Sequence, residues 1–468
     1  VSGQLLRGIQ IPEHWIGVVK DWPDLCQSLG EALVTLPPST LQTHALVIGA
    51  SGSGKTNLLH HLIAGDLMRG QSIIVLDARG DLALAAIELA ARAGIHPSKV
   101  KFFDLREKNQ PLGFNPLAGS GEPYYRALAL IDAVAAESES WGVQLAETFR
   151  NAALLLAETG GSIVQLDALF HNANARRTLI AKAKSEPLRA FWSRYDSLSA
   201  DKQAALASPV LNKVSALLST EGLRRIYGHP APVDLAAQLS LRGSVTLVSL
   251  AVDELHSAGW MTGSILLSSI CREVFSQATV PESQRNPIRL YVDEFENFSM
   301  RDPETILAEG RRFHFSVVLA HQTLAQLTPK VRSIILGNVG VKVVFRVSYQ
   351  DAEVLNRDLA GVKGAFDLPS LPIGEAILWR RGGYPFQIEV NAPLIRDVGS
   401  QSAAARGFME QVSAFAPAYY EIVEEAPLSQ EGGVANETPK VEEHLPPEEP
   451  KPPKSGKTQS GPLEDWLK

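Results

Sequence analysis

Eight residues, "GASGSGKT" from Gly49 to Thr56, constrain this chain more than any other stretch. They fit G-x-x-x-x-G-K-[ST] at every fixed position, after the apolar run Ala45–Ile48 and ahead of a helical sequence from Asn57. Glycines there let successive backbone N–H groups curl around an anion, and the helix that follows adds the favourable end of its dipole. Gly49, Ala50, Ser51, Gly52, Ser53, Gly54, Lys55, Thr56 and Asn57 are therefore expected to hold a nucleotide's phosphates. Lys55 is placed to bridge β- and γ-phosphate oxygens, and Thr56 to offer its hydroxyl to Mg²⁺. The expected ligands are ATP and Mg²⁺.

A phosphate loop of this kind needs an acidic partner on a second strand. "RLYVDEFENF", residues 289 to 298, supplies one: an apolar run, Leu290 to Val292, ends in Asp293 and Glu294. Carboxylates at the end of a buried strand call for a partner. Asp293 is expected on the Mg²⁺ hydration shell, and Glu294 as the general base that polarises the attacking water. Hydrolysis needs such a base, whereas a switch that only senses nucleotide does not. Lys55 and Glu294 lie 239 positions apart, far more than the intervening sheet requires, so an insertion is expected between them.

The pattern along the chain agrees. "SIIVLD" (72–77) and "KVKFFDL" (99–105) read as strands, with a helix between them that Asp81 would N-cap and Gly94 would end. Alternating strands and helices predict a parallel α/β sheet. From "GFNPLAG" (113–119) onward the sequence turns helical. Strand patterns return at "SVTLVSLAV" (244–252), "FSVVLAH" (315–321), "VKVVFRV" (341–347) and "EAILWR" (375–380). The expected division is an N-terminal segment and linker, 1–40, with "LPPST" as the linker. The first half of the core follows at 41–117, an all-helical insertion at 118–240, and the second half of the core at 241–395. A C-terminal helical segment, 396–425, leads into a disordered acidic Pro-rich tail, 426–468. That tail holds too little apolar sequence to build a core. Its "LEDWLK" end suits a protein partner.

Charge narrows the mode of action. From Glu421 onward there are 11 acidic and 5 basic side chains, a net of −6 out of −7, which leaves −1 on the first 420 residues. A near-neutral body is not the footprint of a simple nucleic-acid-binding domain. Any hold on DNA must come from a local surface such as the lining of a ring. Arg176-Arg177 and Arg224-Arg225 are the visible basic pairs of the insertion, and each reads more readily as a solvated helix face. Two cysteines, Cys26 and Cys271, with no membrane-length apolar run and no signal-peptide pattern predict a cytoplasmic setting, free or peripheral to a membrane secretion complex.

Several segments resemble the HerA/FtsK superfamily of ring-forming P-loop ATPases, and are most similar to HerA-like ATPases and the coupling proteins of conjugation and type IV secretion. They are "LDARGDL" (76–82), with Arg79 where Lys is more usual, "FNPL" (114–117), "WGVQLAETFRNAALLL" (141–156), "LNKVSALLS" (211–219), "YVDEFENF", "ILAEGRRFHFSVVLAHQTLAQL" (306–327) and "ILGNVGVKVVFRVSYQDAEVL" (335–355). Coverage runs from about 41 to 395. The resemblance implies a RecA-like α/β core, a homo-hexameric ring and DNA, single- or double-stranded, as the track. It implies Gln322 as the reporter of the γ-phosphate, with His321 beside it as packing. Arg311 and Arg312 would be arginines at a subunit boundary, one acting as a finger on a neighbour's nucleotide. Asp77 would tune the water or the metal, or cap a loop. Arg346 reads as an ion-pair partner in an apolar strand, slightly ahead of a sensor. Two other functions fit the same residues: a type IV secretion ATPase that engages protein substrates, and a nucleotide-gated ring that recruits a nuclease or other effector.

Overall fold

The computed structural model describes residues 14–19, 33–36, 38–138, 140–298, 303–361, 365–395 and 402–419. Its strands are β1 (His14–Val19), β2 (Leu33–Leu36), β3 (Ala45–Ile48), β4 (Ser72–Asp77), β5 (Val100–Asp104), β6 (Val245–Ser249), β7 (Ile288–Val292), β8 (Phe315–His321), β9 (Val341–Val344), β10 (Glu375–Arg380) and β11 (Phe386–Val390). They form one sheet in the order β2-β1-β11-β10-β9-β3-β8-β7-β4-β6-β5. From β9 to β5 every pairing is parallel. β10, β11, β1 and β2 extend the sheet in antiparallel fashion.

The parallel strands read as unbroken apolar runs because helices cover both faces. β3, β4, β6, β7, β8 and β9 are buried along their whole length. Helix α1 (Lys55–Met68) follows β3, and α2 (Asp81–Arg92) follows β4. Between the neighbouring strands β5 and β6 lie α3 (Pro123–Ala136), α4 (Val143–Thr159), α5 (Leu166–His171), α6 (Ala173–Lys182), α7 (Glu186–Asp196), α8 (Ala200–Val214), α9 (Glu221–Tyr227) and α10 (Leu235–Ser240). No strand interrupts them among the described residues. The chain thus leaves the sheet at its edge strand and returns one position inward, which separates the two nucleotide motifs in sequence but not in space. Helix α11 (Ser257–Ser276) packs on α3 and joins these helices to the core. The remaining helices are α12 (Pro303–Glu309), α13 (Pro329–Asn338), α14 (Tyr349–Ala360) and α15 (Ala403–Ala414), besides the four-residue helices Pro38–Leu41 and Val252–Leu255.

The α/β core with a helical insertion is the fold read from the sequence. Residues 1–40 were less legible: their described parts include β1 and β2, and where a linker was expected Leu36 ends β2 and Pro38–Leu41 form a helical turn. β11 escaped notice because its pattern is short and half-exposed. The strands expected at 244–252 and 341–347 end at Ser249 and Val344. Ala251, with φ of 50°, turns the chain out of the sheet. Asp81 does not cap α2; the N-cap is Gly80, and Asp77 accepts from the amides of Arg79 (3.1 Å) and Ala83 (3.0 Å) instead. The acidic tail lies outside the described residues.

One buried ion pair ties the phosphate-loop helix to β7. Asp66 of α1 pairs with Arg289, and Tyr291 donates to its other oxygen at 2.6 Å, with Asp66 and Arg289 both about 2% exposed. Arg289 Nε also reaches Ser316 Oγ of β8 (3.2 Å). Breaking such a pair strands the partner's charge in a dry interior. Asp66→Ala is expected to lower unfolding stability by about 3–5 kcal/mol, read by urea denaturation. A loss below about 1 kcal/mol would show that water reaches Arg289.

Candidate nucleotide site

The site forms where β3, β8 and β7 end side by side. Gly52 and Gly54 take φ of 71° and 115°, which only glycine adopts freely. Neighbouring loops brace the phosphate loop: Ala50 N–H donates to the Arg346 carbonyl (2.7 Å), Gly49 N–H to the His321 carbonyl (3.3 Å), and Gly374 N–H to the Ser53 carbonyl (3.0 Å). A methyl group on Gly49 would lie 2.6 Å from Phe345 Cβ and 2.7 Å from Ser53 Oγ, so no larger residue fits. Lys55 opens α1 and donates from Nζ to the carbonyls of Gly49 (2.6 Å) and Ala50 (3.1 Å). Thr56 is exposed, and Asn57 donates to the Asn391 carbonyl (2.7 Å).

β7 brings Asp293, Glu294 and Glu296 to the same end of the sheet. Burial lowers the pKa of Lys55, while Asp293, Glu296 and Glu294 raise it, which places all three carboxylates within its field. Burial together with Asp77 raises the Asp293 carboxyl to about 6. Asp293 Oδ1 accepts from the Glu294 amide (3.0 Å). Glu294 sits in the left-handed region, φ 52° and ψ 43°, a strained position for a side chain of its size. Its carboxylate lies 3.5 Å from Arg79. The Arg79 carbonyl in turn accepts from Arg106, which is paired with Asp253 (2.6 Å) and Glu254 (2.8 Å).

These groups fit a magnesium nucleotide. Ser53 Oγ is buried inside the loop with no hydrogen-bond partner, a polar atom that a phosphate oxygen would satisfy. Asp77, Asp293, Glu294 and Glu296 outnumber Lys55 and Arg79 by two formal charges, which suits a divalent cation. Among the described residues no group of three His, Cys, Asp or Glu side chains forms a metal cage. Mg²⁺ beside a triphosphate needs none, because phosphate and water supply most of its ligands.

Gln322 follows the last residue of β8 and is half-buried beside the loop. His321 is fully buried; burial drives its pKa down to about 4, and its Nδ1 meets the Thr323 carbonyl at 3.3 Å. Arg346 lies beyond the end of β9, half-buried, and among the described residues no ion pair involves it, contrary to the expected ion-pair role. Arg311 and Arg312 are exposed on the turn Gly310–Phe313, ahead of β8. They stand at the opposite end of the strands from the phosphate loop. The seven residues of β8 put about 20 Å between them and the nucleotide of their own chain. The basic pairs of the insertion are largely engaged: Arg176 is buried on Asp196 (2.5 Å), Arg224 caps the Leu218 carbonyl (2.7 Å), and Arg225 binds the Lys108 carbonyl (2.8 Å).

Sequence reasoning missed Glu296 and Arg106. Glu296 follows a recognised pair of carboxylates and looks like an ordinary turn residue. Arg106 reaches the site only through the β5–β6 adjacency.

Residues 29–86 match the family model described as the type IV secretion-system coupling protein DNA-binding domain, and residues 287–360 match the TraM recognition site of TraD and TraG. No curated protein sequence matches. Among solved structures, the fold is similar to a bacterial conjugative coupling protein, TrwBdeltaN70, with TM-score 0.57 and 17% identity over 85% of this chain and 99% of that one. The plasmid coupling protein TrwB in complex with ADP and Mg²⁺ aligns with the same score and identity, over 83% of this chain and 96% of that one. VirB4 of Thermoanaerobacter pseudethanolicus aligns with TM-score 0.54 and 13% identity, over 82% of this chain and 98% of that one. Motifs, family models and fold thus agree on a likeness to P-loop ATPases of the HerA/FtsK type, on the coupling-protein side.

Proposed function

We propose that this chain, which shares the fold of the conjugative coupling proteins, is the subunit of a homo-hexameric ring that hydrolyses ATP to move DNA. The observation that carries the reading is the placement of its charged residues. A complete phosphate loop meets Asp293, Glu294 and Gln322 at one end of the sheet, while Arg311 and Arg312 lie exposed at the other. Those arginines cannot serve their own nucleotide, but in a ring they can face a neighbour's.

In this reading Lys55 leaves the loop carbonyls and holds β- and γ-phosphate oxygens. Thr56 and Asp293 would hold Mg²⁺, which offsets the charge of the triphosphate. Glu294 takes the proton of the attacking water, held meanwhile by Arg79. Gln322 meets the γ-phosphate and carries its presence into β8. Asp77 acts through the Arg79 loop that its carboxylate caps. The coupling-protein DNA-binding match over 29–86 supports DNA as the track. The match over 287–360 supports a protein partner on the second half of the core. Among the described residues no helix is long and apolar enough to cross a membrane. We place the ring on the cytoplasmic side of a secretion complex.

The test is steady-state ATP hydrolysis without DNA, with single-stranded DNA and with duplex DNA, using Glu294→Gln as the blank. At least about tenfold stimulation by one form is expected, since a track that engages the ring should hasten the chemical or release step. Robust turnover indifferent to every DNA would replace this reading with the protein-secretion or effector-scaffold alternative.

A further inference from the structure

Glu294 is not a free carboxylate: its Oε1 lies 3.5 Å from Arg79 Nη2. Arg79 reaches it from the turn after β4, and that turn is fixed by the chain that leaves β6. Three successive carbonyls are held from there. Leu250 N–H donates to Asp77 (2.9 Å), Val252 N–H to Ala78 (3.0 Å), and the Arg106 guanidinium to Arg79 (2.9 Å). Arg106 is itself gripped by Asp253 (2.6 Å) and Glu254 (2.8 Å), both in the short helix Val252–Leu255. The Asp77 carboxylate takes the Arg79 amide (3.1 Å). The backbone of Arg79 is thus pinned at both of its polar groups, while its side chain is 65% exposed and free to swing.

The segment that does the pinning is strained, and α11 bears on it. Ala251 and His256, at its two ends, have φ of 50° and 49°, left-handed values that are costly for any residue but glycine. α11 packs there without slack. A methyl group on Gly259 would lie 2.6 Å from the Leu250 carbonyl oxygen, and one on Gly263 would lie 2.6 Å from Leu250 Cδ1 and 2.8 Å from the Phe298 ring. Trp260 meets Phe298 edge to face, with 5.3 Å between ring centres. So α11, which also packs on α3 of the insertion, touches both the segment behind Arg79 and the turn that follows Glu294.

We propose that Arg79 is a positioning residue that restrains the general base, and that α11 sets the strength of this restraint through Val252–Leu255 and Arg106. An ion pair that competes with the attacking water for Glu294 lowers turnover, and it must be weak enough to break in every cycle. A 3.5 Å pair to a mostly exposed arginine is weak in that sense. A shift of α11 against the sheet moves both partners: the Arg79 turn through Leu250 and Arg106, and the Glu294 turn through Phe298. The helical insertion is thereby coupled to the chemistry. The proton of the water still goes to Glu294, and Arg79 takes no part in the bond exchange.

This rests on the hydrolysis reading, and one experiment separates the two. Steady-state turnover of Mg-ATP is measured without DNA on the full chain, as wild type, Arg79→Ala, Arg79→Lys, Asp253→Ala/Glu254→Ala and the combination of that pair with Arg79→Ala. Each is read against its Glu294→Gln counterpart as the blank. Arg79→Ala should raise kcat about two- to fivefold, the worth of an exposed ion pair, with KM within about twofold. Arg79→Lys keeps a cation in the same place and should stay at the wild-type rate. Asp253→Ala/Glu254→Ala should raise kcat by a similar factor, since both side chains are more than half exposed and their loss slackens Arg106 without opening the core. The combined variant should be no faster than Arg79→Ala, because both changes act on one restraint. Damage to the fold lowers turnover and cannot mimic a gain. Unchanged or lower kcat in Arg79→Ala would overturn the inference. Unchanged kcat in Asp253→Ala/Glu254→Ala, or gains that multiply in the combined variant, would overturn the route through Arg106. A wild-type chain with no Glu294-dependent turnover would instead remove the hydrolysis reading itself.

Discussion

Glu294→Gln is expected to bind Mg-nucleotide with wild-type affinity and to lose turnover by about 10²–10⁴-fold, the usual worth of a positioned general base. The substitution keeps volume and shape and removes only the proton acceptor. Its structural cost is small. The pair with Arg79 spans 3.5 Å, and Arg79 is 65% exposed, so solvent screens most of its worth. The left-handed backbone at 294 is as awkward for Gln as for Glu, so it shifts neither state against the other. Lys55→Ala should differ in kind, since it removes the group that holds the phosphates and so lowers nucleotide affinity as well as rate. Equilibrium binding of a fluorescent nucleotide alongside steady-state phosphate release separates the two. Wild-type turnover in Glu294→Gln would end the assignment of the base.

The second large effect concerns a residue far from the chemistry within its own chain. Replacing the finger arginine is expected to cost about 10³–10⁵ in kcat, because it supplies charge to the transferring phosphoryl group only at the transition state. Arg311→Ala and Arg312→Ala identify which one it is. Neither should harm folding: Arg312 is 76% exposed, and its contact with Glu309 is a surface pair worth under about 1 kcal/mol. The sharper experiment mixes subunits. An Arg311→Ala/Arg312→Ala chain keeps a complete nucleotide site, and a Lys55→Ala chain keeps its arginines. Neither turns over alone, but at junctions in a mixed ring an intact arginine faces an intact site, and activity should return. The double variant hydrolysing at wild-type rate would end the finger assignment. Absence of recovery in rings shown to contain both chains would end its action on a neighbour.

How far the sequence reached depends on the range of the interactions involved. A phosphate loop is local: its glycines, lysine and threonine are contiguous, and the φ values of 71° at Gly52 and 115° at Gly54 fall where the motif requires glycine. The parallel strands were legible for a related reason, since burial on both faces leaves uninterrupted apolar runs between turns. β1, β2 and β11 were not, because these short antiparallel strands lie at one end of the sheet, and β1 joins the sheet only by pairing with β11, hundreds of residues later in the chain. Asp81 looked like the cap of α2 because it stands at the start of the helical pattern. Asp77 does the work because the strand end points it back at the amides of Arg79 and Ala83.

The sequence by itself determined that this chain carries a phosphate-loop motif between a strand and a helix of an α/β sheet, since loop, strand and helix are adjacent and their local conformation depends on no distant residue. Only the tertiary structure decided what surrounds that loop. It set Arg79 on Glu294, and placed Arg311 and Arg312 a strand's length away from their own site. Those relations arise from strand order and from the length of β8, and neither is written in the spacing of the motifs.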